Sequence, residues 1–167
     1  MIKLIPKVQE SELLNIFSRF YKDEQDSVRM QGIDSCVCFA QHLPPTKVNA
    51  YLLPYIKKFA EDKSWRIRYL VADRIMDLAA GIGFEQAKDS LLPYFAAFLK
   101  DVESEVRTAA VGRISDFCQI LDDASIIAKI IPCLKELQAD QFCYVRSALA
   151  ENLLSICPLV GKSVTNE

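Results

Sequence analysis

The chain has 167 residues, 51% apolar and 25% charged, with a net charge of −2. That balance is globular rather than disordered, lacks the basic stripe of a nucleic-acid binder, and offers no apolar run long enough for a membrane helix. Five glycines and seven prolines are few for a turn-rich β protein, and the abundance of Leu, Ile, Ala, Lys and Glu leans helical.

The opening stretch MIKLIPKVQESE turns polar too soon for a secretory leader. The six cysteines, Cys36, Cys38, Cys118, Cys133, Cys143 and Cys157, therefore read as reduced thiols of a cytoplasmic chain, or of one shared with the nucleus. Cys36-x-Cys38 stands without a second pair or a nearby histidine, so no zinc site and no cofactor is expected.

Along the chain, four segments repeat one pattern: DEQDSVR (23–29), DKSWRIR (62–68), DVESEVR (101–107) and DQFCYVR (140–146). Each is D-x-x-x-x-[VI]-R, and the spacing is 39 residues every time. The frame extends outwards. Phe20, Phe59, Phe98 and Leu137 align, as do Leu14, Leu53, Leu92 and Ile131, and Pro54, Pro93 and Pro132 with Asn15 as the exception. Downstream, Cys36, Ile75, Ile114 and Leu153 align, then Ala40, Ala79, Cys118 and Cys157, and Leu43, Ile82, Leu121 and Val160. So many matches in one frame mean tandem structural units, at about 7–44, 46–83, 85–122 and 124–161 of a single domain.

Within the second unit, VNAYLLPYIKKFAED places Leu52, Leu53, Ile56, Phe59 and Ala60 at helical spacing. Pro54 falls inside that helix and should bend it or loosen a turn. WRIRYLVADRIMDLAAGIG gives a second apolar face through Ile67, Val71, Ile75, Leu78, Ala79 and Ile82, with Gly81 and Gly83 to end it. The short EDKS link makes the pair an antiparallel hairpin. One hairpin cannot bury its apolar faces alone; four stacked hairpins bury a continuous core. The expected fold is an all-α solenoid.

A 39-residue helical hairpin with a proline in its first helix and D…[VI]-R leading into the second resembles a HEAT repeat. EQDSVR, AEDKSWRIRYLVAD, ESEVRTAA, SDFCQIL, IIPCLKEL, VRSALA and PLVGK together resemble the scaffold (A, PR65-type) subunit of protein phosphatase 2A, from about residue 11 to 162. That family is a rod of fifteen HEAT repeats, and these four look like middle ones, so the chain reads as a fragment, an excised domain or a truncated relative. The resemblance implies a non-catalytic scaffold. Its ridge of intra-repeat turns would hold a phosphatase regulatory subunit. A catalytic subunit would join only if the full-length chain carries more repeats.

The recurring Asp23, Asp62, Asp101 and Asp140 and Arg29, Arg68, Arg107 and Arg146 are expected to be structural. Each Asp can hold free N–H groups at a helix start, or pair with an Arg of the neighbouring unit in a ladder. The residues between them vary from unit to unit. Trp65 aligns with Asp26, Ser104 and Cys143, and Arg66 with Ser27, Glu105 and Tyr144. A position that accepts Asp and Ser is not a core position, so Trp65 reads as displayed at least in part; a local cap over its own hairpin is the plainer alternative. The candidate partner-binding ridge is Gln25, Asp26, Lys63, Ser64, Trp65, Arg66, Glu103, Ser104, Glu105, Gln141, Phe142 and Tyr144, rich in hot-spot residue types. A transport adaptor or peptide-binding module would instead use the concave face, with Arg74 and Arg113 as candidates. An enzyme is not expected: His42 is the only histidine, and it aligns with Gly81, Ile120 and Leu159.

Overall fold

The computed structural model describes residues 10–165 of the chain, and the side chains of residue 12 and residues 15–156. Residues 7–9 of the first expected unit, and the side chains expected in the core at Leu14, Cys157 and Val160, lie outside the described residues.

The helices pair into four hairpins. The first is α1 (Glu10–Lys22) and α2 (Asp26–Ala40). In the second, α3 runs from Pro45 to Ala60 as Pro45–Lys47, a π-helical stretch Val48–Leu52, and Leu53–Ala60; α4 is Trp65–Asp73 continued by Ile75–Ile82. The third has α5 (Phe84–Phe98) and α6, made of Ser104–Gly112 and Ile114–Cys118. In the fourth, α7 comprises Asp123–Ser125, the π-helical Ile126–Ile130 and Ile131–Leu137; α8 is Cys143–Thr165. Second helices touch one another in sequence, α2 with α4, α4 with α6 and α6 with α8. The result is an α-solenoid.

The prolines act more subtly than a uniform bend. Pro54 and Pro132 each lie one residue beyond a π-helical stretch, at the second position of the α-helical segment that follows. A proline has no N–H to donate to the turn behind it, and a wider i→i+5 turn absorbs that missing bond. Pro93 sits inside an uninterrupted α5, so the recurrence of the residue does not fix one geometry. Breaks of another kind fall in the second helices, at Arg74 (φ −94°, ψ 9°) and Arg113 (φ −108°, ψ 2°), and no proline lies nearby.

The shared register shows in burial. Phe59, Phe98 and Leu137 are buried, as are Ala40, Ala79 and Cys118, so Cys118 does fill a small core site. Phe95 stacks on Phe117 at 4.2 Å between ring centroids. Burial pushes the thiols of Cys36 and Cys118 up to about 12, which makes them inert packing groups. Cys38 and Cys143 are exposed. Phe20, Leu43, Leu92, Leu121 and Ile131 are half-buried, and Leu153 departs furthest, at 45% exposed, while Cys36, Ile75 and Ile114 are fully covered. No unit in the described structure follows α8 to cover it.

Gly81 and Gly83 do different jobs. Gly83 alone terminates α4, at φ +91°, a region where a side chain is strained. It is also the residue before Phe84, so a single glycine joins the second hairpin to the third. Gly81 lies inside the helix, where a Cβ would sit 2.3 Å from Ala40 Cβ and 2.9 Å from the Ala40 carbonyl oxygen. It is there for close approach of α4 to α2, not to end a helix.

Candidate functional site

The turn between each pair of helices is built the same way. The residues at the helix entrance, Gln25, Ser64 and Glu103, are extended and make no side-chain capping bond. The aspartate two residues earlier does that work. Asp23 Oδ1 accepts the Gln25 N–H at 2.9 Å, Asp62 that of Ser64 at 2.8 Å, Asp101 that of Glu103 at 3.0 Å and Asp140 that of Phe142 at 2.9 Å. These are Asx turns, so each Asp does hold an N–H group at a helix start, two residues ahead of the one that leads into the helix.

The arginines then clamp the turns. Each Nη1 donates to the carbonyl oxygen of its own unit's Asp, at 2.8 Å for Arg29, 2.8 Å for Arg68, 2.7 Å for Arg107 and 2.5 Å for Arg146. The Nε and Nη2 groups reach the next unit. Arg29 grips Asp62 at 2.8 and 3.0 Å, Arg68 grips Asp101 at 2.6 and 2.8 Å, and Arg107 grips Asp140 at 2.7 and 3.0 Å. Every pair is bidentate, the geometry that planar guanidinium and carboxylate favour. Two expected members stand outside these pairs. Among the described residues, the Asp23 carboxylate receives no guanidinium and Arg146 meets no carboxylate.

Ionisation follows the contacts. The hydrogen bond from Arg68 to Asp101 raises the Arg68 value above its ordinary one, against the opposing effect of burial. For Asp140, burial works to raise the carboxyl. The Arg107 bond, the Phe142 N–H and the charges of Arg107 and Arg146 outweigh it and hold the group below the usual carboxylate range.

Each joint carries a second contact of its own. Between the first and second units, Asp26 Oδ2 accepts from Arg66 at 3.2 Å and from the Ser64 hydroxyl at 3.4 Å. Between the second and third, Arg113 pairs with Asp73 at 2.7 Å. Between the third and fourth, the Ser104 and Tyr144 hydroxyls meet, and Lys100 pairs with Glu136 at 2.5 Å.

These contacts revise the expected ridge. Ser104 is buried, not displayed, because Tyr144 of the next turn covers its hydroxyl. Trp65 is half-buried and packs against the core. Its ring meets Tyr69 edge-on at 6.5 Å, and the Arg66 guanidinium lies 5.2 Å from the ring centroid. The position shared by Asp26, Trp65, Ser104 and Cys143 is thus an interface between turns, tolerant of polar residues where they find partners. Asp26, Ser64 and Glu103 are half-buried, while Gln25, Lys63, Arg66, Glu105, Gln141, Phe142 and Tyr144 are exposed. Phe142 and Tyr144 lie 5.5 Å apart, and the Arg107 guanidinium is 5.8 Å from the Phe142 ring.

One ridge residue escaped the sequence reading. Val102 is 85% exposed. It aligns with Glu24, Lys63 and Gln141, so its own register marked it as outward-facing.

The two cations expected on a concave face, Arg74 and Arg113, both have carboxylate partners. Besides Arg113 on Asp73, Arg74 lies 3.7 Å from Asp77 and 4.0 Å from Asp73. His42 is exposed, with Nδ1 2.6 Å from the Cys38 carbonyl oxygen, an ordinary N–H donation along α2. Among the described residues, no three His, Cys, Asp or Glu side chains group as metal ligands, and no helix is long and apolar enough to cross a membrane.

With this geometry in place, comparison with known proteins agrees on the class. Residues 84–161 match the family model of PPP2R1A-like HEAT repeats. The crystal structure of Cex1p superposes with a TM-score of 0.77 over 98% of this chain, at 21% identity. The chain spans about a third of the length of that protein (32%), and the likeness concerns the fold. No curated protein matches. The chain is an all-α solenoid, and its residues 84–161 are similar to PPP2R1A-like HEAT repeats.

Proposed function

We propose that the chain is a non-catalytic scaffold in a serine/threonine phosphatase 2A-type assembly, a single domain of four repeats that receives a regulatory subunit on its ridge of turns. The observation that carries this reading is the division of labour at each turn. Asp and Arg are consumed in holding neighbouring units, while Lys63, Arg66, Val102, Glu105, Phe142 and Tyr144 stand exposed at fixed spacing. The match of residues 84–161 to a PPP2R1A-like repeat family supports the phosphatase context.

The mechanism is positioning. A stack pinned at every joint holds a partner in one geometry and makes or breaks no covalent bond. Aromatic and arginine side chains on the ridge supply anchors, and the surrounding charges set which partner approaches.

Trp65 is a poor probe because its removal also opens the core. Phe142→Ala combined with Arg66→Glu changes only exposed side chains. Capture of phosphatase regulatory subunits by this variant, at unchanged helicity, is expected to fall about tenfold, an ordinary loss for two interface anchors. Equal capture by wild type and variant would remove the ridge from the binding site.

A further inference from the structure

Outside the ladder, the residue that opens a second helix meets the next turn at an offset of 40 residues. At the first joint, Asp26 meets Arg66 as an ion pair at 3.2 Å. At the third, the Ser104 and Tyr144 hydroxyls meet. The same register sets Trp65 against Glu105 across the second joint, and there no polar contact closes. Among the described residues, Glu105 pairs with no Lys or Arg and accepts only the hydroxyl of its neighbour Ser104, at 3.0 Å. The ring partners of Trp65 are Tyr69 and Arg66 of its own helix. Both turns of this joint have a described unit on either side, so the gap is internal to the stack.

The surroundings favour a cation. Glu103 takes the place that Ser64 holds beside Asp26, and it too forms no ion pair among the described residues. Arg66, Arg68 and Arg107 are spent on Asp26, Asp101 and Asp140, which leaves two carboxylates against Lys63. Glu105 is exposed, Tyr69 is 39% exposed and Trp65 is half-buried. Arg66 shows what the indole accepts, because its guanidinium lies 5.2 Å from the ring centroid. Asp26 of the preceding unit holds that guanidinium, so it is drawn towards the first joint and away from Glu105.

We infer that the second joint receives an arginine side chain of a partner protein, with its guanidinium bonded to Glu105 and laid against Trp65 and Tyr69. Arginine suits the place better than lysine, because its planar fork bonds a carboxylate through two N–H groups and stacks on aromatic rings. This rests on the ridge reading proposed above and gives the partner's anchor its chemistry.

Trp65 is the chain's only tryptophan, so its indole N–H resonance reports on the joint directly. Titrating the 167-residue chain with N-acetyl-arginine amide is expected to move that resonance to saturation. N-acetyl-citrulline amide, similar in shape but uncharged, should give no saturable shift. Glu105→Gln changes an exposed side chain and should weaken arginine binding about tenfold, the ordinary loss for a charged hydrogen bond. Glu85→Gln, at a remote exposed carboxylate, should leave it unchanged. No saturable shift with the arginine probe, an equal response to citrulline, or equal affinity in Glu105→Gln overturns the inference. No phosphatase subunit enters this titration. Failure to capture regulatory subunits would therefore remove the phosphatase context, while the titration still decides whether the joint takes arginine.

Discussion

Arg29 and Arg146 occupy the same place in the same motif, yet they live in different surroundings. Arg29 is buried, spans two turns and fills both oxygens of Asp62. Arg146 closes its own turn onto the Asp140 carbonyl and otherwise faces solvent. The difference teaches that the motif sets only the reach of the side chain. Its energetic weight comes from the neighbour that desolvates it. A surface guanidinium contributes little, whereas a buried pair becomes costly once one partner is taken away.

The sharpest test removes the buried partner. Asp62→Ala leaves Arg29 covered without a counter-charge and also frees the Ser64 N–H; about 3–5 kcal/mol of stability should go, read from denaturant unfolding. Asp23→Ala, which loses only an exposed Asx turn, should cost about 1 kcal/mol or less. Comparable losses at the two positions would break the contrast.

Gly81→Ala probes the same first joint through packing. The new methyl group would meet the Ala40 backbone, which cannot swing aside, so about 1–3 kcal/mol is expected from overpacking. Gly112→Ala, where nothing lies within 4 Å of the added carbon, should be neutral or slightly stabilising in a helix.

Acid sharpens the comparison at the third joint. The Asp140 carboxyl lies below its ordinary 3.8 when folded, so its pair contributes fully above that pH and loses its contribution as pH falls through the folded value. Below about pH 4, wild-type stability should fall more steeply than that of Arg107→Ala, as followed by melting temperature. The smallest effect is expected from Arg146→Ala, about 0.5 kcal/mol or less in dilute protein. A loss as large as that of Arg29→Ala would mean that Arg146 has a partner inside the monomer.

Much of this was legible because a strict period turns one chain into four readings of the same position. The hairpins, the ladder members and most core sites came from alignment of the chain with itself. What escaped were features that differ between units. The two π-helical stretches depend on how each first helix accommodates its proline, and Pro93 does so without one. The burial of Ser104 depends on Tyr144, a residue 40 positions away. Polar equivalents mark Trp65 as displayed at least in part, and it is half-buried; what they do not reveal is that Asp26 and Ser104 find partners in the next turn. Val102 shows that the same logic was sound where no such contact intervenes.

The aspartate of each turn serves two structures at once. In Asp62, one oxygen fixes Ser64, the residue that leads into α4, while both oxygens hold the preceding unit. Starting a helix is the unfavourable step in forming it, and here the starting geometry of one unit is stabilised by the docking of its neighbour. Local nucleation and nearest-neighbour coupling therefore share a single side chain. In a one-dimensional array this raises coupling relative to intrinsic unit stability. Unfolding should then begin at a terminal unit and advance as a front, joint by joint, with the middle turns the last to exchange their amide hydrogens.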